Sequence, residues 1–186
     1  MVPGSLRERL SEQPRIGRLA ERVVPEQILA VLAEHGVDYV LIGGLAAAIH
    51  GSDIVTTDLD ITPARGTANL SRLSKALRAL HAGIRSDAAP NGLPFPRDAT
   101  SLAKADMWNL TTDFGDLDIA FIPAGTTGYT DLRRSAVVID VIGTTTTVAS
   151  LADIIRSKEA ADRPKDRIAV PARRRLQDEI DRRRTS

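Results

Sequence analysis

The chain has 186 residues, 42% of them apolar, no cysteine and a formal net charge of +1. That length supports a packed core in one domain or one and a half, and the absence of cysteine excludes disulfides, thiolate metal sites and cysteine nucleophiles. The near-neutral balance gives no global field that would select nucleic acid. Arginine is nevertheless clustered locally, at Arg133-Arg134, Arg163 to Arg167, Arg173 to Arg175 and Arg182 to Arg184, either as solvated helix faces or as phosphate contacts.

The chain divides into an N-terminal arm or short helix over 1–24, a core with a mixed sheet over 25–149 and C-terminal helices over 150–186. The start MVPGSLRERL has no apolar signal core and no run approaches a membrane span, so the expectation is a cytoplasmic protein without a membrane partner. Pro25 suits a first helical turn, where its missing N–H has no partner to lose. Ile28, Leu29, Val31 and Leu32 form an apolar stripe, and Gly36 offers a stop. A strand over Val37–Ile42 leads to Gly43-Gly44 and a short helix that ends at His50-Gly51. Two glycines at a strand-to-helix junction let a phosphate approach backbone amides without Cβ interference, and they equally suit a plain tight turn. His50 reads as a hydrogen-bonded structural residue.

Thr56-Thr57 precede Asp58-Leu59-Asp60-Ile61. In an extended segment the period of two puts Asp58 and Asp60 on one face, with Thr56 in the same parity, and Leu59 and Ile61 on the other. Adjacent carboxylates repel, and a divalent cation removes that cost by using both as ligands. A polar strand end in solvent is the plainer reading. Residues 66–82 form an amphipathic helix with Leu70, Leu73, Leu77 and Leu80 on one face. Residues 83–100, rich in proline, read as a long loop over a site entrance, with Arg97 the residue to watch.

A hairpin follows, Met107–Thr112 and Asp116–Ile122 around Asp113-Phe114-Gly115. Its second strand puts Asp116 and Asp118 on one face, so Asp118 can add a third carboxylate to the first two. Residues 129–135 form a helical turn, and Val137–Ile142 and Thr145–Val148 are strands about Gly143. Ser150 caps a helix over Leu151–Ala161 with Asp153 at its third position. Lys158 lies beside the inward face of that helix, either snorkelling or pointing into a polar site. Arg163-Pro164-Lys165-Asp166 breaks the chain before a last helix over 166–183, which Pro171 interrupts or restarts.

These residues make a coherent set. Asp58 and Asp60 would hold Mg²⁺ or Mn²⁺ on the phosphates of an NTP. Asp118 would help with a second ion and activate an attacking hydroxyl. Gly43 and Gly44 would position the phosphates, with Thr56 and Thr57 nearby, and Lys158 would neutralise the triphosphate. The chemistry is in-line attack at the α-phosphate with pyrophosphate leaving, which needs positioning rather than a covalent nucleophile.

The pattern Gly43-Gly44, His50-Gly51, Thr56-Thr57-Asp58-Leu59-Asp60 resembles the minimal nucleotidyltransferases of the polymerase-beta superfamily. Together with Asp116-Leu117-Asp118 and SKEAADRPKD (Ser157 to Asp166), it resembles the nucleotidyltransferase toxins of the AbiEii and MenT-like kind, found in bacterial toxin–antitoxin and phage-defence pairs. The resemblance covers roughly residues 25–170. It implies an α+β fold, an α/β mixed sheet of the polymerase-beta-like type with the signature strands central, helices on one side and a C-terminal helical part. It implies metal ligation by Asp58, Asp60 and Asp118, a nucleotide contact from Lys158, and support from Asp166. It also implies nucleotide transfer to an RNA, foremost the tRNA 3′ end, with growth inhibition and silencing by a cognate antitoxin. Small-molecule acceptors of the aminoglycoside kind, protein hydroxyls and a non-catalytic nucleotide-binding role are the alternatives. In relatives a basic residue often stands four positions before the first aspartate. Here that residue is Ile54, with Arg65 or Arg97 available as replacements.

Overall fold

The computed structural model describes residues 23–53 and 56–185. Residues 1–22 of the expected arm, and Ile54, lie outside that range. The elements in chain order are α1 (Pro25–Glu34), β1 (Tyr39–Ile42), α2 (Gly43–Ile49), β2 (Asp58–Pro63), α3 (Thr67–Ala79), β3 (Gly83–Ser86), β4 (Ala89–Leu93) and α4 (Ala99–Leu102). They continue with β5 (Met107–Thr112), β6 (Gly115–Ala120), α5 (Tyr129–Arg133), β7 (Val137–Val141), β8 (Thr144–Val148), α6 (Leu151–Ala161) and α7 (Pro164–Thr185).

The strands form one mixed sheet in the order β4-β3-β5-β6-β2-β1-β8-β7. Two neighbouring pairs are parallel, β2 with β6 and β1 with β8, and the rest are antiparallel. β2 and β6 therefore sit at the middle of the sheet. Tyr39, Val40 and Leu41 of β1 are all buried, as expected for a strand covered on both faces. Ile28, Leu29 and Leu32 of α1 and Leu70, Leu73 and Leu77 of α3 join the same core. The buried Asn69 on α3 ties the start of β1 to the end of β2, which lie side by side in the antiparallel pair. Its Nδ2 donates to the carbonyls of Asp38 (2.9 Å) and Ala64 (2.8 Å), and its Oδ1 accepts from the Asp38 amide (2.8 Å). A buried amide needs such partners, and three of them here fix where the central strands start and stop.

Residues 83–100 are not one loop. They contain the β3–β4 hairpin and the short α4, which Asp98 caps by accepting from the Ser101 amide (3.0 Å). Proline concealed the hairpin: Pro90 lies in β4, the outermost strand, where a missing N–H costs no ladder bond. Gly83 and Gly92 face each other so closely that a Cβ on either would meet the other's backbone within 2.9 Å. The last helix is also continuous. Pro171 lies inside α7 and removes one intrahelical hydrogen bond without ending the helix.

α6 begins as expected, with the Ser150 hydroxyl accepting from the Asp153 amide at 3.1 Å. It ends at Asp162 in the left-handed region, φ 47°, a conformation that aspartate tolerates. Pro164 then opens α7 at its first position, so α7 turns back and packs on α6, which also packs on α2. This layer brings the C-terminal helices to the end of β1 and the start of β2, where the acidic residues lie.

Candidate active site

The site grows out of one strand pairing. In the parallel β2–β6 ladder Asp58 stands opposite Asp116 and Asp60 opposite Asp118. Leu59, Ile61, Leu117 and Ile119, the residues in alternate parity, are fully buried. Their burial forces the aspartates to the opposite face. There Asp58, Asp60 and Asp118 each offer one oxygen, and these oxygens lie within 4.8 Å of one another. Among the described residues this is the one group of metal-ligating side chains so placed.

The electrostatics register the crowding. Burial, then the Asp58 and Asp118 charges, push the Asp60 carboxyl up to about 7, against smaller opposing effects from Lys158 and the Gly44 amide. Burial also raises Asp118, although the Arg85 guanidinium pulls it down and Asp58 and Asp116 push it further up. An excess of negative charge held at fixed, short separations is what a divalent cation relieves. The donors are all carboxylate oxygens, with no nitrogen or sulfur, which suits Mg²⁺ or Mn²⁺ rather than a softer ion. The residues present therefore fit such a cation.

Thr56 orients the first ligand. Its hydroxyl donates to Asp58 Oδ1 at 2.6 Å and also lies 3.1 Å from the Asp58 carbonyl. Thr57 is exposed beside it. The two glycines lie against these same groups. Gly43 has φ +70°, and a Cβ there would sit 2.0 Å from Asp60 Oδ2. A Cβ on Gly44 would sit 2.6 Å from the Thr56 Cβ. The Gly44 amide donates to the Asp60 carboxylate. The glycine pair thus lets α2 start directly on the carboxylates.

Lys158 points into the polar site. Its Nζ lies 3.3 Å from Asp166 Oδ1, and its charge reaches Asp60. Asp166 is buried at the start of α7. His50 keeps its structural role, with Nε2 2.8 Å from the Ala149 carbonyl oxygen. The two arginines considered as phosphate contacts are engaged elsewhere. Arg65 pairs with Asp106 and stacks over Phe121, and Arg97 lies over Phe95.

Arg85 at the site went unread in the sequence, and Arg173, behind Asp166, was noted only as part of an arginine cluster. Arg85 on β3 forks onto the acidic strand, with Nη2 2.5 Å from Asp118 Oδ1 and Nε 3.0 Å from Asp116 Oδ2. It sits in the segment read as loop, so no alternation marked its direction. Arg173 belongs to a run of three arginines but is buried rather than solvated. Its spacing of seven from Asp166 was the available signal. Among the described residues no helix is long and apolar enough to cross a membrane.

No family model matches the chain, and no curated protein sequence matches it. Solved structures do. The fold is similar to that of the lincosamide antibiotic adenylyltransferase LnuA with lincomycin bound, with a TM-score of 0.55 and 14% identity over 82% of this chain and 95% of that one. A Thermotoga maritima protein described as a nucleotidyltransferase aligns at a TM-score of 0.48 and 14% identity, over 88% of this chain and 99% of its own. That second likeness is too low to carry an argument. The first, with the sheet order above, gives the architecture: a mixed α/β sheet with C-terminal helices, of the polymerase-beta-like nucleotidyltransferase type. At such identity it speaks for the fold, not for the toxin branch or for any acceptor.

Proposed function

We propose that a chain with this fold and this acidic cluster is a metal-dependent nucleotidyltransferase that moves a nucleoside monophosphate from an NTP to an RNA, foremost the 3′ end of tRNA. In that reading it inhibits growth and is silenced by a cognate antitoxin. The observation that carries the chemistry is the convergence of Asp58, Asp60 and Asp118 within 4.8 Å, with the Lys158 charge in reach of Asp60.

A divalent cation held by the three aspartates supplies charge neutralisation at the phosphates and lowers the pKa of the attacking hydroxyl. The protein's own groups do the rest. Thr56 fixes the orientation of Asp58, and the Gly44 amide fixes Asp60. Lys158, braced by Asp166, offsets the charge of the triphosphate. The acceptor oxygen attacks the α-phosphorus, its proton passes to Asp118, and the bond to the β-phosphate breaks with pyrophosphate leaving. No covalent enzyme intermediate is needed, in keeping with the absence of cysteine.

The choice of RNA is supported by the resemblance of residues 25–170 to MenT-like toxins and by the surface of α7. Arg167, Arg174 and Arg175 are exposed there, on the helix that braces Lys158, and Arg163 is exposed just before it. Arg167 and Arg174 are held by Asp162 and Glu159, while Arg163 and Arg175 face solvent. Such a face suits a phosphate backbone. The second reading, a small-molecule hydroxyl acceptor, is favoured by the likeness to an adenylyltransferase of lincosamide antibiotics.

The test is incubation of the full chain with total tRNA, Mg²⁺ and each α-labelled NTP, beside a lincosamide or aminoglycoside arm and an Asp60→Ala control. Label on tRNA that the variant lacks supports the RNA reading. Label on the small molecule alone transfers the assignment to the second. No product in any arm removes both.

A further inference from the structure

Helix α7 buries an unusual face. Asp166, Ala169 and Arg173 are spaced by three and four residues, so they share one side of the helix, and all three are buried. An inward face ordinarily carries branched apolar side chains. Here it carries an acid, a methyl group and a guanidinium, and Leu176, beside Gly51 past the end of α2, resumes apolar packing.

Asp166 and Arg173 are 3% and 4% exposed. Long helical side chains lean toward the N-terminus, which directs Arg173 back along α7, and the charge of Asp166 acts on it. The pair is nevertheless not closed. Asp166 Oδ2 and Arg173 Nε and Nη1 are buried without a hydrogen-bond partner among the described residues. The other Asp166 oxygen is given to Lys158, whose charge in turn reaches Asp60. Four charged groups therefore lead in order from the carboxylate cluster into the α6–α7 layer: Asp60, Lys158, Asp166 and Arg173.

A purely structural arginine would be expected to close on Asp166. Unbonded guanidinium N–H groups in a buried setting are worse for stability than an apolar chain of similar length. Lys158 already balances Asp166, which leaves the Arg173 charge for another anion. A guanidinium presents parallel N–H donors that match an anion with several oxygens on one centre, and phosphate is that anion.

We propose that Arg173 is a polyphosphate-binding residue whose Nε and Nη1 take oxygens of the terminal phosphates of the nucleotide, next to Lys158. The identity of the ligand as a nucleotide rests on the nucleotidyltransferase reading, whereas the anion site stands on α7 itself. Arg173 thereby leaves the set of surface arginines available to RNA.

The experiment is calorimetric titration of the full chain with inorganic pyrophosphate and Mg²⁺, for wild type, Arg173→Met and Arg173→Lys, with thermal unfolding of each. Wild type is expected to bind pyrophosphate. Arg173→Met should weaken binding tenfold or more while the ligand-free Tm holds or rises, because an unbonded cation is replaced by an apolar chain. Arg173→Lys keeps the charge without the fork and should fall between. Equal affinity in wild type and Arg173→Met, or no pyrophosphate binding by wild type, overturns the assignment. Should Arg173→Met unfold, Arg173→Lys decides: weakened binding at unchanged Tm supports the site, and wild-type affinity overturns it. A wild type that binds pyrophosphate through Arg173 yet consumes no NTP keeps the anion site and removes the transferase reading.

Discussion

Asp60 on β2 stands directly opposite Asp118 on its parallel neighbour β6. A slip of either strand by one residue would carry its aspartate into the core and bring Leu59 or Leu117 to the site, so burial of the alternate residues locks the pair in place. The acidic cluster is thus built by the same packing that builds the sheet centre, and its electrostatic cost is borne by the fold until a cation offsets it.

That cost has a pH signature. The Asp60 carboxyl rises from an ordinary 3.8 to about 7, so between those values the folded chain holds a proton that the unfolded chain releases. Its contribution to metal-free stability falls as pH rises through that window. In EDTA, Asp60→Asn should therefore match wild type near pH 4 to 5 and exceed it at pH 8 by on the order of 2–4 kcal/mol. Thermal unfolding across pH gives the difference directly. Parallel curves for the two proteins would show that Asp60 titrates normally.

Arg85 is a built-in counter-charge for the cluster. Its fork on Asp116 and Asp118 offsets part of the repulsion that a metal would otherwise relieve. Arg85→Gln should lower the Tm in EDTA and tighten Mn²⁺ binding by about 1 kcal/mol, with the gain shrinking in high salt. Weaker Mn²⁺ binding in the variant would instead make Arg85 a residue that holds Asp118 in its ligating position.

Much of this arrangement was legible in the sequence. The period of two in Asp58 to Ile61 and in Asp116 to Ile119 gave the faces, because one face of each strand is wholly apolar. The α3 stripe and the Ser150 cap read correctly for the same reason: each is a local pattern with one physical solution. The β3–β4 hairpin did not, since prolines at a sheet edge imitate a loop and the glycine contact between Gly83 and Gly92 is not local. Arg85 was missed, and the burial of Arg173 within its cluster was not legible, because a basic residue carries no sign of its direction until the surface around it is known. The continuity of α7 through Pro171 depends on packing against α6, which local propensity does not report.

Lys158 and Asp166 form a partly buried pair, so removing one partner strands the other. Lys158→Met should reduce kcat/KM for NTP by on the order of a hundredfold and destabilise the chain by about 2–3 kcal/mol. Lys158→Met with Asp166→Asn should recover part of the stability and none of the activity. Recovery of both would mean that Lys158 serves only the fold.

Gly43 tests how tightly the helix start is set on the metal site. Gly43→Ala places a methyl group on Asp60 Oδ2 in a backbone conformation of φ +70°. The substitution should cost at least about 2 kcal/mol and displace Asp60, so the rise in Tm that Mn²⁺ gives wild type should shrink. An unchanged Mn²⁺ response would separate the glycine from the ligands.

The most direct measurement is pyrophosphate release from a mixture of NTPs by the full chain with total tRNA, with Mg²⁺ and with EDTA, for wild type and Asp60→Asn. Nucleotidyl transfer at the Asp58–Asp60–Asp118 cluster predicts release by wild type that requires Mg²⁺ and drops at least about a thousandfold in the variant. Release that persists in EDTA, or that Asp60→Asn retains, would contradict it.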